Sequence, residues 1–239
     1  MLSALKKQFR IQYMDGILLM CFAVGGSLAG TILLTVIMHF DRGAESYVQL
    51  GTTFGMIMTV FYTFIMNMVQ IRIYFNLEVS MGCTRSRFFV SFYIVNFIFN
   101  LIGVCLLTVI SLADQALCSV MYPDCMNEIE LTPYLLRWGI LAAAVIPMIS
   151  GFLGALLMRY GKRAGWILWA LWMFGCIGLP RITEAVSEAP DSVFGKIGSV
   201  LINLIRMVPG NMWICIVGVV SLLGLGGAWI LLRKQQVIS

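Results

Sequence analysis

Residues 16–38, with the sequence GILLMCFAVGGSLAGTILLTVIM, decide the fold of this chain because none of them is charged. A helix needs about 17–25 mostly apolar residues to cross roughly 30 Å of hydrocarbon. The stretch therefore predicts a transmembrane helix. Five further uncharged stretches are long enough to cross. The sequence predicts six spans, at about 16–38, 50–71, 88–113, 138–158, 164–180 and 210–232.

The composition agrees with an integral membrane protein. Of the 239 residues, 60% are hydrophobic and 11% are charged, whereas soluble domains carry about 25% charged residues. The spans and their short connections occupy nearly all of residues 1–239, which predicts one transmembrane domain without a separate catalytic unit. A nucleotide-binding GK[ST] motif is also missing from the sequence. Any use of ATP and Mg²⁺ would then require a partner ATPase, and the chain itself is expected to be no enzyme and to hold no cofactor.

The charged residues predict the orientation. Most lysines and arginines flank the two termini and the even-numbered connections, whereas most acidic residues lie in the other connections. The positive-inside rule then predicts a multi-pass protein of the cell (plasma) membrane with both termini cytoplasmic. Because the basic residues form short clusters beside helix ends, we expect them to contact lipid headgroups rather than nucleic acid.

Two amphipathic segments are predicted beside the spans. Residues 1–15 place Leu2, Leu5 and Phe9 at helical spacing among basic residues, which predicts a helix lying along the cytoplasmic interface; a flexible basic tail is the alternative. Residues 181–211 contain a second apolar stripe, which predicts an external amphipathic helix before the last span. Its members are Val193, Ile197, Val200, Leu201, Leu204 and Ile205.

Polar residues within the spans carry two interpretations. The amides are expected either to form interhelical hydrogen bonds or to line a substrate path; they are Asn67, Gln70, Asn96 and Asn100. Histidine occurs only at His39, and no CxxC motif is present, so no metal site is expected. The charge-free windows contain no acid, which argues against proton-coupled transport and intramembrane catalysis.

Small residues and cysteines suggest packing contacts. The pairs Gly26/Gly30 and Gly51/Gly55 are small-xxx-small motifs, which allow two helices to approach closely. Cys118 and Cys125 share one external connection, so they are candidates for a disulfide if that side is oxidising.

The connection between spans two and three is the most informative stretch. It predicts a short helix near residues 76–81, a break at Gly82 and an N-cap at Thr84. Leu77 and Met81, four residues apart, would form an apolar knob flanked by charged Glu78, Arg85 and Arg87. This arrangement indicates a docking element, although an ordinary basic connection is the alternative.

This stretch, residues 76–89 (NLEVSMGCTRSRFF), resembles the loop of the form "aLSmGvtRrrFf" in permease subunits of type-2 ABC transporters, the exporter-like class. The six-span plan and the two amphipathic segments are also similar to that family. The resemblance implies a half-transporter that pairs with an identical or related permease subunit and is energised by separate ATPase subunits.

The same resemblance implies roles for particular residues. Glu78, Met81 and Gly82 would belong to the first ATPase-coupling helix, and residues 160–163, including Lys162 and Arg163, to a shorter second contact. The expected function is ATP-driven export, or extraction from the membrane, of an amphipathic substrate such as an antimicrobial peptide, a lipid or a drug. A membrane protein that acts by binding alone, as an immunity or assembly protein, is the alternative.

Overall fold

A computed structural model describes residues 2–41, 46–123, 125–188 and 192–235. Eight α-helices and two short strands are present among them. The helices are α1 (Leu2–Phe40), α2 (Leu50–Ser80), α3 (Arg85–Met121), α4 (Thr132–Tyr160), α5 (Lys162–Met173), α6 (Leu179–Glu188), α7 (Val193–Met207) and α8 (Gly210–Arg233). The strands are β1 (Ser46–Tyr47) and β2 (Met126–Asn127).

Six helical segments of the described chain are long and apolar enough to cross a membrane, which agrees with an all-α membrane protein of six spans. They are Ala4–Phe40, Leu50–Ser80, Arg85–Met121, Thr132–Tyr160, Lys162–Ile182 and Met212–Arg233. We call the end of the bundle that holds residues 2–15 and the end of α8 the terminal end, and the opposite end the far end.

The N-terminal segment differs from its prediction. Residues 2–15 do not form a separate interfacial helix, since α1 continues without a break from Leu2 to Phe40. The side of this segment that carries Gln8 and Gln12 is buried. The physical reason is that these glutamines continue the helix face of Leu19 and Ala23, which packs inside the bundle.

The helices extend beyond the uncharged windows because charged residues at helix ends do not interrupt an α-helix. α3 has 37 residues, which corresponds to about 55 Å at 1.5 Å per residue. Three carboxylates consequently lie on candidate membrane helices: Asp15 on α1, Glu78 on α2 and Asp114 on α3. All three lie outside the sequence-predicted spans, so these helices carry acidic residues that the uncharged windows excluded.

Helices α1 and α2 pack through the predicted glycine pairs. A Cβ atom on Gly30 would overlap the carbonyl oxygen of Leu50 and the Cα atom of Gly51, and one on Gly55 would overlap the Ser27 hydroxyl. The two small-xxx-small surfaces thus face each other. This close approach fixes α1 against α2 and brings their polar residues together farther along the helices.

An apolar cluster joins α2, α3, α4 and α8 near the terminal end. Its buried members are Ile71, Phe75, Phe88, Phe92, Ala155, Ala228 and Leu232.

At the far end, β1 pairs in parallel with β2, and the backbone N–H of Glu128 donates to the Tyr47 carbonyl oxygen. The connection before α2 is thereby attached to the connection after α3.

The fifth span is irregular and continues into a helical hairpin. α5 is followed by a π-helical segment, Phe174–Gly178, and then by α6. α7 occupies the position predicted for the amphipathic helix before the last span, and Gly198 brings it against Ile182 of α6. Of the predicted stripe, Val193 and Val200 are exposed.

Candidate functional site

The connection between α2 and α3 forms a tight turn at the terminal end. α2 ends at Ser80, Gly82 adopts a φ of +83°, and α3 begins at Arg85. Because that φ value strains any residue with a Cβ atom, glycine suits this turn. Thr84 precedes α3 as predicted, but its side chain makes no capping hydrogen bond.

The predicted apolar knob lies on the surface of this turn. Leu77 is 44% exposed and Met81 is 50% exposed. Arg87 and Gly82 are also exposed. The structure therefore leaves these four members of the predicted docking set accessible.

Glu78 of the predicted docking set is buried rather than exposed. The side chain is 0% exposed, and neither carboxylate oxygen has a hydrogen-bond partner among the described residues. Helix geometry is the reason: Glu78 follows Phe75 and Ile71 on the buried face of α2, whereas Leu77 points to the side of that face and Met81 follows the last residue of the helix. Burial also raises the pKa of the neighbouring Cys83 thiol, so this thiol stays protonated.

The Arg85 side chain forms a contact within the protein. Its guanidinium donates a hydrogen bond to the backbone carbonyl oxygen of Arg233 in the last turn of α8. This bond satisfies a carbonyl at a helix C-terminus and attaches the connection to the sixth span. Lys162 and Arg163, the predicted second contact, are exposed at the start of α5, directly after the turn at Gly161.

The four predicted span amides come together in one place. They line a small cavity between α1, α2 and α3; they are Asn67, Gln70, Asn96 and Asn100. All four are buried. Thr63 donates to the Asn100 side-chain oxygen at 3.3 Å, and the Asn96 amide donates to the Phe92 carbonyl oxygen at 3.0 Å.

Sequence reasoning missed the contribution of α1 to this cavity. Gln12 and Asp15 line it together with the four amides. The Tyr74 hydroxyl donates to an Asp15 carboxylate oxygen, and the Tyr62 hydroxyl donates to the Asp15 backbone carbonyl at 3.3 Å. The available signal was the spacing of Gln8, Gln12 and Asp15, which places them on one helix face.

Asp114 forms a second polar cluster at the far end, which sequence reasoning also missed because it placed this residue in a loop. The Thr52 backbone N–H and hydroxyl each donate to its carboxylate at 2.9 Å, and the Thr31 hydroxyl donates at 3.3 Å. Since Thr52 lies in the first turn of α2, the carboxylate caps that helix from α3. The two Thr52 donors at the start of α2 indicate a structural role for Asp114.

The cysteine pair at the far end is not bonded in the structure. Cys118 is buried, and Cys125 is partly buried and packs against the same apolar cluster. Among the described residues, no group of three histidine, cysteine or carboxylate side chains is arranged to hold a metal ion.

No known protein family, curated protein or solved structure matches this chain.

Proposed function

We propose that this chain is the membrane-spanning permease subunit of an ATP-driven ABC transporter, with a separate ATPase subunit docking on residues 72–88. The proposal rests on the resemblance of residues 76–89. The observation that carries it is the exposed apolar pair Leu77 and Met81 at the tip of the α2–α3 connection.

The length of α2 supports docking from the aqueous phase. Its 31 residues correspond to about 46 Å, whereas the hydrocarbon core measures about 30 Å. With Leu50 near the far surface, roughly the last ten residues extend beyond the hydrocarbon on the terminal side. Leu77 and Met81 would then be exposed to water rather than to lipid, a position that favours a protein partner.

The helices attached to the turn supply a mechanical connection. α2 and α3 continue without a break from the turn into the membrane, and Arg85 attaches the same turn to α8. A partner that displaces the turn would therefore move three spans together. ATP-driven closure of two ATPase subunits is the type of motion that such a coupling uses.

The contacting residues of the proposal are revised by burial. Leu77, Met81 and Arg87 would meet the ATPase directly, with Lys162 and Arg163 as the second contact. Glu78 would stabilise the α2–α3 connection from its buried side. ATP and Mg²⁺ would be held by the ATPase.

A second permease subunit belongs to the proposal because the resemblance implies a half-transporter, and the buried polar cavity is too small to pass a substrate. Its volume of about 20 Å³ is far below the several hundred Å³ that drug-sized ligands occupy. An amphipathic substrate, such as an antimicrobial peptide, a lipid or a drug, would pass between two subunits, identical or related. Plasma-membrane location with both termini cytoplasmic completes the proposal.

Introducing a negative charge at Leu77 or Met81 tests the proposed docking of an ATPase subunit. The full chain is affinity-purified in mild detergent from its native cells, and the co-purified Mg-ATP hydrolysis is measured. We expect Met81→Asp and Leu77→Asp each to reduce this activity at least about tenfold, because burying an unpaired carboxylate costs several kcal/mol.

Met126→Asp is the matched control, since Met126 is 79% exposed at the far end. It should retain the wild-type activity. Wild-type chain that carries no ATPase, or equal ATPase recovery with Met81→Asp and Met126→Asp, would contradict the proposal and favour a protein that acts by binding alone.

A further inference from the structure

We propose that the cavity between α1, α2 and α3 binds one dehydrated monovalent cation, for which Na⁺ is the best fit. This site is distinct from the proposed docking surface. It also departs from the sequence-based expectation of no metal site, because its ligands are amides and one carboxylate rather than histidines and cysteines.

The volume of the cavity limits the size of the ion or molecule that it can bind. Its volume is about 20 Å³, and a water molecule requires at least about 10–15 Å³. One particle the size of a water molecule or a bare small ion therefore fits. A hydrated ion or an organic substrate does not.

Several polar atoms around the cavity lack hydrogen-bond partners among the described residues. Gln12 is 1% exposed, and neither its amide oxygen nor its amide nitrogen is hydrogen-bonded. The Gln70 oxygen and the amide nitrogens of Asn67 and Asn100 are also without partners. Leaving such groups unpaired away from water costs free energy at each position, so a bound guest that contacts them stabilises the bundle.

The charge of the cavity favours a cation over a water molecule. Asp15 contributes one carboxylate, which accepts a hydrogen bond from the Tyr74 hydroxyl. No lysine, arginine or histidine lines the cavity. Asp15 is partly buried. A carboxylate in such surroundings is costly unless a positive charge compensates it, and a bound monovalent ion would supply that charge.

Oxygen ligands are available in the number that a hard cation needs. The Asp15 carboxylate, Gln12 and Gln70 provide three oxygens. A half-turn of the Asn67 and Asn100 amides, which have nearly the same shape after rotation, brings two more oxygens inward. Thr63 can then accept a hydrogen bond from the turned Asn100 amide. With only one carboxylate, the ligand set matches a single positive charge.

Thermal unfolding of the purified full chain in detergent tests the proposal. Unfolding is followed in NaCl, KCl and N-methylglucamine chloride at constant ionic strength. We expect the unfolding temperature to rise with Na⁺ and to saturate, with a weaker response to the larger K⁺ and none to N-methylglucamine. Gln12→Leu should raise the half-saturating Na⁺ concentration about tenfold or more, which corresponds to about 1.4 kcal/mol. Asp15→Asn should do the same.

Gln8→Leu is the matched control. Gln8 lies one turn earlier on the same face of α1 and is equally buried with both amide atoms unpaired, yet it does not line the cavity. This variant should keep the wild-type Na⁺ dependence. Equal unfolding temperatures of the wild-type chain in Na⁺ and N-methylglucamine would overturn the proposal and indicate a bound water molecule. The same Na⁺ response in Gln8→Leu and Gln12→Leu would also overturn it.

Discussion

At the scale of single residues, Asp114 demonstrates how a membrane helix can carry a buried carboxylate. Ionised side chains are expensive in this environment. Here the Thr52 backbone N–H and two hydroxyl groups solvate the charge. The partial positive charge at the N-terminus of α2 adds a favourable interaction. The carboxylate therefore stabilises the junction of α1, α2 and α3.

Removal of that carboxylate is expected to destabilise the bundle. Asp114→Ala leaves the N–H of Thr52 unpaired, so we expect the free energy of unfolding to fall by about 1–3 kcal/mol. Asp114→Asn retains one acceptor oxygen and should lose less. Denaturant titration in mixed micelles measures both.

Thr108→Val on the same helix is the control, because the Thr108 hydroxyl bonds only to the Val104 carbonyl of its own helix. Its effect should be small. Equal destabilisation by Asp114→Ala and Thr108→Val would contradict the capping role.

The sequence contained part of this polar chemistry. Asn67, Gln70, Asn96 and Asn100 stood out as uncharged polar residues in apolar runs, and the structure brings them into one cavity. Asp15 was assigned to the N-terminal segment, and Glu78 and Asp114 to connections, because charged residues had been used to mark the ends of spans. A periodicity test that continued through those charges would have placed each of them on a buried helix face.

At the scale of helices, the contact between α1 and α2 depends on glycines whose Cβ positions are occupied by backbone or side-chain atoms of neighbouring helices. Its geometry was predictable from the spacing of Gly26/Gly30 and Gly51/Gly55. What the spacing did not predict was the pairing of these two surfaces with each other. Small residues allow close approach but do not choose a partner.

Gly30→Ala provides a sharp test of that contact. The added methyl group would overlap the backbone at Leu50 and Gly51, and we expect a loss of about 1–3 kcal/mol of stability from overpacking. Gly25→Ala is the matched control, since nothing lies within 4 Å of its added Cβ atom. It should be neutral or stabilising by up to about 1 kcal/mol, because alanine favours the helix. Thermal unfolding of the two variants, measured without denaturant, compares their stabilities. Equal losses of stability would contradict the close approach of α1 and α2.

The lengths of the helices were harder to predict from the sequence than their positions. α1, α2 and α3 run well beyond the uncharged windows because backbone hydrogen bonds persist where side chains become polar. A hydropathy window detects the part of a helix that lipid requires and ignores the rest. The continuation of α1 through residues 2–15 and the buried position of Glu78 are both consequences of that difference.

At the scale of the whole molecule, both ends of the bundle combine satisfied and unsatisfied polar groups. The far end is held by the Asp114 cluster, the β1–β2 pair and a 2.8 Å hydrogen bond between Ser111 and Thr132. At the same end, the side chains of Gln49 and Asn127 hold buried polar atoms without partners among the described residues. The terminal end holds such atoms on Gln8, Gln12 and Glu78. Because unsatisfied buried atoms cost free energy at either end, the polar groups do not distinguish a fixed end from a mobile one.

The last prediction concerns the orientation of the bundle, because the distribution of basic residues predicts that the terminal end is cytoplasmic. Met81 and Met126 are exposed at opposite ends. After replacement of the seven native cysteines by serine, Met81→Cys and Met126→Cys are each treated with a membrane-impermeant maleimide. In intact cells we expect labelling of the Met126→Cys variant alone, and in permeabilised cells labelling of both. The cysteine-free parent must stay unlabelled. The reverse pattern would place Leu77 and Met81 outside the cell, where no ATPase could dock on them, so this measurement tests the orientation on which the proposed function depends.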